Sequence, residues 1–213
     1  MKTDDLIALL ATNLEPVDHR RAARTVAMAL VASAVAVVAS VVVALGFRPD
    51  APRLGGIVPL LLKLAFALAI VVPAAIHLMR LARPGGERRL SLTMFALPFV
   101  AVMLLAAFNL AVAPRSHWNS MILGGQWLKC LVSIPLIALV PFAAIVWAVR
   151  RMAPTDLWRT GALAGLVAGS LSAAGYALHC VDDSVAFVAL WYGGTIALCA
   201  LAGWHLGPRL LRW

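Results

Sequence analysis

The chain has 213 residues, of which 63% are apolar and only 13% are charged, and its formal net charge is +9. These values exclude a soluble globular domain, which needs a larger share of polar side chains for its surface. They indicate an integral membrane protein. Because the apolar runs are continuous and lack the alternation of a lipid-facing strand, we expect an all-α membrane protein and not a barrel.

Residues 1–24 form a polar segment with a helical pattern of its own. Thr3 is placed to cap a helix that Pro16 limits to about three turns, and acids in the first turn favour the positive end of the helix dipole. Such a short helix is marginal in water, so its apolar face needs a surface. An acidic polar face favours a protein partner over lipid, with packing against the chain itself as the alternative. The expected partner-binding residues are Asp4, Asp5, Leu6, Leu9, Leu10 and Leu14.

Six apolar stretches follow, each long enough to cross a bilayer as a helix of about 20 residues. Only short polar segments separate them, so residues 25–213 form one predicted six-helix transmembrane domain with short loops. The expected spans are residues 25–47, 57–79, 92–113, 131–149, 161–178 and 185–206.

The basic residues are distributed unevenly between the two sides of this six-span topology. Of the 18 Lys and Arg residues, 13 lie on the side that holds both termini, and 5 lie on the other. Short basic segments stay cytoplasmic, so both termini and segment 1–24 are expected in the cytoplasm. The same bias accounts for the net charge, and we expect no direct binding of nucleic acid.

The predicted spans contain few groups that could move ions or protons. Lys63 is the only charged residue inside a span, and we expect it to extend to the outer interface. The lack of acids inside the spans argues against a proton-coupled transporter. In the fifth span, Gly161, Gly165 and Gly169 recur every four residues. Small residues let helix backbones approach closely, and we expect these glycines to face the fourth span.

Two cysteines flank the fourth and fifth spans at one membrane face. Cys130 immediately precedes the fourth span, and Cys180 follows the fifth by two residues. The short connection between these spans predicts an antiparallel hairpin, which places both thiols at nearly equal depth on the outer side. An oxidising outer compartment favours exposed thiols that pair or bind a metal ion.

Three interpretations of the two cysteines are open at this level. They form a pair that senses oxidation or a metal ion, or a purely structural disulfide, or they are unrelated buried thiols. His117, His179, Asp182 and Asp183 lie in the same outer loops, but their spacing matches no closed tetrahedral zinc signature. Cys199, within the sixth span, is expected to act as a small apolar side chain.

Three segments of the chain resemble a known family of bacterial membrane proteins. They are MKTDDLIALLATNLEPV at the start, CLVSIPLIALVPFAAIVWAVRR in the fourth span and YALHCVDDSVAFVALWYGGTIALCALAGWHLGPRLLRW at the end. The most specific features are the HC pair at His179 and Cys180, the FVALWY run and the final GPRLLRW. Over essentially its whole length, the chain resembles the six-span family called negative regulator of sigma F.

The resemblance implies a membrane-bound anti-sigma factor of the bacterial inner membrane whose partner is an extracytoplasmic-function sigma factor. The family motif includes one cysteine that opens the fourth span and one that closes the fifth, which correspond to Cys130 and Cys180 here. With His179 they are the expected sensing residues, and the two thiols are candidate ligands for a transient heavy-metal ion. No catalytic residue and no resident cofactor is expected. Oxidation or metal binding outside would shift a two-state bundle and release the sigma factor inside.

Other classes of function predict different features. A small membrane transporter or channel needs a polar path, which the spans lack. A membrane thiol oxidoreductase normally carries a close pair such as C-x-x-C, whereas these cysteines are 50 residues apart. The transporter or channel, and a membrane protein with a purely structural disulfide, are the alternatives to the anti-sigma factor.

Overall fold

The computed structural model describes residues 19–48, 54–82 and 92–212, together with Thr3. In these ranges every regular element is a helix, so the all-α class is confirmed. The predicted partner-binding residues lie outside the described residues, and their role stays a prediction; they are Asp4, Asp5, Leu6, Leu9, Leu10 and Leu14.

The described helices follow the predicted apolar stretches closely. One short 3₁₀ turn, Arg115–His117, lies before the helix Trp118–Leu123. The last helix, Val185–Leu210, is continuous but not uniform, because Val188–Tyr192 is π-helical and the parts on either side are α-helical. The bounds are α1 His19–Ala44, α2 Leu54–Leu81, α3 Leu92–Val112, α4 Trp118–Leu123, α5 Trp127–Arg150, α6 Leu157–Tyr176 and α7 Val185–Leu210.

Among the described residues, five helical stretches are long and apolar enough to cross a membrane. They lie in α1, α2, α3, α5 together with the preceding α4, and α7. The predicted fifth span, residues 161–178, also forms a helix, α6, but this helix does not reach the same apolarity. The count of six spans and the location of the termini therefore stay predictions.

Helix α6 lies at the centre of the bundle. It packs most extensively against α7 and also contacts α2, α5 and α1, and most of its residues are buried. A helix surrounded by protein does not need large apolar side chains, because its faces meet other helices and not lipid. Its Gly, Ala and Ser residues suit this position, since they allow neighbouring backbones to approach closely.

The small residues of α6 form a close seam with α7, and not with α5 as the sequence analysis predicted. A Cβ on Gly203 would meet the carbonyl oxygen of Gly161 and lie 2.9 Å from the Cα of Gly165. A Cβ on Gly207 would lie 2.9 Å from the Cα of Gly161. The prediction was wrong because α7 places two glycines of its own, Gly203 and Gly207, against α6, so backbone contact is possible from both sides. Helix α5 still packs beside α6.

The substitution Gly203→Ala should weaken this seam, because the new Cβ would overlap the backbone of α6 at Gly161. We expect the free energy of unfolding to fall by about 1–3 kcal/mol, the usual cost of overpacking. Thermal unfolding of the purified chain in detergent micelles measures the change. Gly194→Ala is the matched control, since it adds the same methyl group to the same helix in open space. Equal melting temperatures for the two variants would contradict the close seam.

Candidate functional site

Cys130 and Cys180 lie at the same end of the α5–α6 pair. Cys130 is in the first turn of α5, and Cys180 lies four residues beyond the end of α6. Both are completely buried free thiols. The structure thus brings the cysteines to one end of this helix pair and, unlike the exposed thiols that the sequence analysis considered, buries them.

Burial determines the chemical state of Cys180. The loss of solvent raises the pKa of its thiol above the ordinary value of 9.0, and the positive charge of Lys63 offsets this only in part. The thiolate is the form that attacks electrophiles and binds metals. The thiol of Cys180 is therefore held in its protonated, unreactive form, and reaction requires that the site opens or that a reagent displaces the proton.

Asp182 ties the loop that carries Cys180 to the start of α5. Its carboxylate accepts hydrogen bonds from the backbone amides of Gly125 and Gln126, the shortest at 2.8 Å. Gln126 provides no side-chain cap for α5, so Asp182 supplies the acceptor and the negative charge that a helix N-terminus favours. Gly124 permits this contact, because it adopts a φ of +58° and a Cβ there would lie 2.9 Å from the carboxylate.

Lys63, Asp183 and Arg48 form a second set of contacts, which we call the ion triad. The Lys63 ammonium donates to Asp183 Oδ1 at 2.7 Å and to the carbonyl oxygen of Cys180 at 3.0 Å. The Arg48 guanidinium donates to both Asp183 oxygens, at 2.8 and 3.2 Å. The Lys63 and Arg48 side chains are completely buried, and the Asp183 side chain is 25% exposed. Lys63 is therefore buried, and a carboxylate and a carbonyl satisfy its charge inside the protein; that it extends to the outer interface stays a prediction.

The chain just after α1 contacts the same loop. The backbone amide of Arg48 donates to the carbonyl oxygen of Leu178 at 3.0 Å. The ring Nδ1 of His179 lies 3.2 Å from the carbonyl oxygen of Gly46. Segment 178–183, which we call the hub loop, therefore joins α6 to the ends of α1 and α5 and to the middle of α2.

The π-helical segment of α7 forms a further wall of the site. Tyr192, at its end, is buried, and the centroid of its ring lies 5.9 Å from the Lys63 ammonium. Trp191 donates through its indole nitrogen to the carbonyl oxygen of Ile122 in α4 at 2.8 Å. The Thr195 hydroxyl donates to the carbonyl oxygen of Trp191 at 2.7 Å, which supports the backbone where the helix departs from α geometry.

The two histidines considered with the cysteines have separate surroundings. His117 is exposed in the 3₁₀ turn, and His179 contacts the end of α1. Across the described residues, no group of three or more His, Cys, Asp or Glu side chains is arranged to hold a metal ion. A metal ion at Cys130 and Cys180 would therefore depend on the two thiolates, which favours a soft cation.

The ion triad was not predicted from the sequence. A usable signal was present, because Lys63 is the only charge within a predicted span and two acids follow Cys180 on the same predicted side. An intramembrane cation usually pairs with another group. Sequence alone does not separate the roles of the two acids, since Asp182 and Asp183 are neighbours and only the fold turns one to α5 and the other to Lys63.

A comparison with known proteins gives the family. The family model described as "Negative regulator of sigma F" matches residues 10–213. This chain belongs to the negative regulator of sigma F family. The match includes both buried thiols, the ion triad and the hub loop, so the resemblance noted in the sequence is confirmed.

Two relatives in the negative regulator of sigma F family match along their full lengths. The "Probable anti-sigma-F factor NrsF" of Azospira oryzae is 30% identical over 214 residues, and the "Anti-sigma-F factor NrsF" of Caulobacter vibrioides is 33% identical over 222 residues. Each alignment covers all of this chain and all of the relative. No solved structure matches the chain.

Replacement of Asp182 by alanine should loosen the hub loop, because the amides of Gly125 and Gln126 lose their acceptor. We expect a loss of about 1–2 kcal/mol in stability, typical of a helix cap, and faster reaction of Cys130 and Cys180 with a maleimide. Asp156→Ala is the matched control, since Asp156 caps α6 by accepting from the amide of Arg159 at the far end of that helix. If both variants label at the wild-type rate, Asp182 does not hold the site closed.

Proposed function

We propose that this chain is a membrane-bound anti-sigma factor. It sequesters an extracytoplasmic-function sigma factor in the cytoplasm and releases it when Cys130 and Cys180 react on the periplasmic side. The observation that carries the proposal is family membership over residues 10–213, together with relatives named as anti-sigma-F factors that match along their full lengths. The role is regulatory, and we expect no catalytic turnover.

The proposal places the chain in the bacterial inner membrane as a multi-pass protein with six spans. In the part of the chain that the structure describes, five stretches have the required length and apolarity. Helix α6 would be the additional span, since its 20 residues are long enough and its neighbours shield it from lipid. An even number of spans returns both termini to one side, and the excess of Lys and Arg favours the cytoplasm.

The sensor in this proposal is the pair Cys130 and Cys180, with His179 beside it. Two thiols can give up two protons and two electrons to an oxidant and form a disulfide. Alternatively, a soft divalent cation displaces two protons and binds the two thiolates. Because both thiols are buried, either reaction requires the site to open first, and the resting pair is protected from slow background reaction.

Segment 1–24 is the proposed sigma-binding element. On the helix predicted from the sequence, its leucines share one face and its acids lie on the other, so it needs a partner surface. The last residues of the segment already belong to α1, which begins at His19. A displacement of α1 would therefore reach the segment without any further connection.

A pair of substitutions on the leucine face, Leu6→Asp with Leu10→Asp, should abolish capture of the sigma factor. Two lost apolar anchors predict an affinity weaker by about hundredfold or more. Co-purification of the full chain with an extracytoplasmic-function sigma factor of the same organism measures the capture. Ala8→Asp with Thr12→Asp is the matched control, because it adds the same charge to the opposite face. Equal capture by both variants would contradict the assignment of the leucine face to sigma-factor binding.

The double variant Cys130→Ser, Cys180→Ser should hold the sigma factor but no longer release it. We expect transcription from a sigma-dependent reporter to stay low after addition of cadmium or a thiol oxidant, while the wild type responds. Cys199→Ser is the matched control, since Cys199 is a buried thiol in the α6–α7 seam, beside Gly169. Undiminished induction in the double variant would refute the sensor. A purely structural disulfide would instead lower the stability of the double variant and raise uninduced transcription.

A further inference from the structure

We propose that Lys63 and Asp183 are positioning residues that couple the chemical state of Cys180 to α1 and α2. This inference rests on the proposed function and names the route by which the same site acts. The ion triad is thereby assigned to the resting, sigma-holding state of the bundle.

One ammonium group holds both ends of the short segment that begins at Cys180. Lys63 donates to the carbonyl oxygen of Cys180 at 3.0 Å and to the carboxylate of Asp183 at 2.7 Å. The cysteine is therefore fixed through its own backbone. If joining the sulfur to Cys130 or to a metal ion displaces the backbone of Cys180, its carbonyl group moves and the contact with Lys63 changes.

The same movement reaches α1 through Arg48. The Arg48 guanidinium is paired with Asp183, and the Arg48 amide donates to Leu178. These two contacts lie at opposite ends of the hub loop. A displacement of either end of the loop would therefore move the chain that follows α1. Arg48 lies four residues beyond the end of α1, and the other end of that helix adjoins the proposed sigma-binding segment.

Burial makes this coupling discrete. An ammonium that loses its carboxylate partner inside the protein is strongly disfavoured, so the triad is either formed or replaced as a unit by another arrangement. Two discrete arrangements are what a switch requires, because a ligand or modification shifts an equilibrium only by its differential interaction with two states. A set of contacts that only anchored the loop would stay intact when the thiols react.

The first test uses the wild-type chain in vesicles of phosphatidylethanolamine and phosphatidylglycerol, treated with diamide. Diamide accepts two electrons and two protons as the two thiols become a disulfide. Hydrogen exchange is then followed at residues 45–48, where the amide of Arg48 bonds to Leu178. We expect exchange there to become about tenfold faster, with no change in the Cys130→Ser variant. Unchanged exchange in a chain whose disulfide is verified by mass overturns the coupling, and so does failure of the thiols to react.

The second test measures sigma-dependent transcription without inducer. Lys63→Met should raise it about tenfold, and should do so equally in the Cys130→Ser, Cys180→Ser background, because the triad acts after the thiols. Lys129→Met is the matched control, since Lys129 is exposed at the start of α5. The amount of chain in the membrane is measured in parallel, and an increase explained by loss of the chain counts against the inference.

The two proposals fail in different ways. If Lys63→Met stays repressed and fully inducible while the cysteine double variant is not inducible, the sensor stands and the coupling through Lys63 is wrong. If deletion of the whole chain leaves transcription unchanged, the anti-sigma function itself is wrong.

Discussion

The close approach of α6 and α7 is the constraint on which the rest of the structure depends. Lipid tails are as apolar as leucine, so helices in a bilayer associate through direct packing and not through exclusion of water. Glycines on both helices remove the side chains that would hold the backbones apart. Helix α6 can therefore pack against α1, α2, α5 and α7, and the loop that leaves its end contacts the chain after α1, the start of α5 and Lys63 of α2.

The polar groups of the hub loop have partners within the protein, although only Cys180 of this loop is fully buried. The carbonyl oxygens of Leu178 and Cys180 are met by an amide and an ammonium, and Asp182 and Asp183 are met by backbone donors and two cations. Buried polar groups that are satisfied in this way specify one arrangement, whereas unsatisfied ones would open the structure. The same enclosure that satisfies these groups removes water from Cys180 and keeps its thiol protonated.

The sequence predicted the helices well because long apolar runs are a strong signal. For example, the predicted span 92–113 corresponds to the helix Leu92–Val112. The short connection also predicted that α5 and α6 pack together. The partner of the α6 glycines was not predictable in this way, because two helices were compatible with a small-residue face. The partner of Lys63 depended on which of two adjacent acids turns inward, and that choice is made by packing. The π-helical segment that ends at Tyr192 likewise has no local signal, since its backbone is supported by Thr195 and the indole of Trp191 is held by Ile122 in α4.

The burial of both thiols has a kinetic consequence. A reagent that attacks them only after the site opens reacts at a rate that rises with its concentration at first and then levels off at the opening rate. Beyond that concentration, more reagent produces no faster response. For the proposed sensor, an exposure shorter than the opening time leaves most molecules unreacted whatever its dose, so the chain would report how long a stress lasts and not only how strong it is.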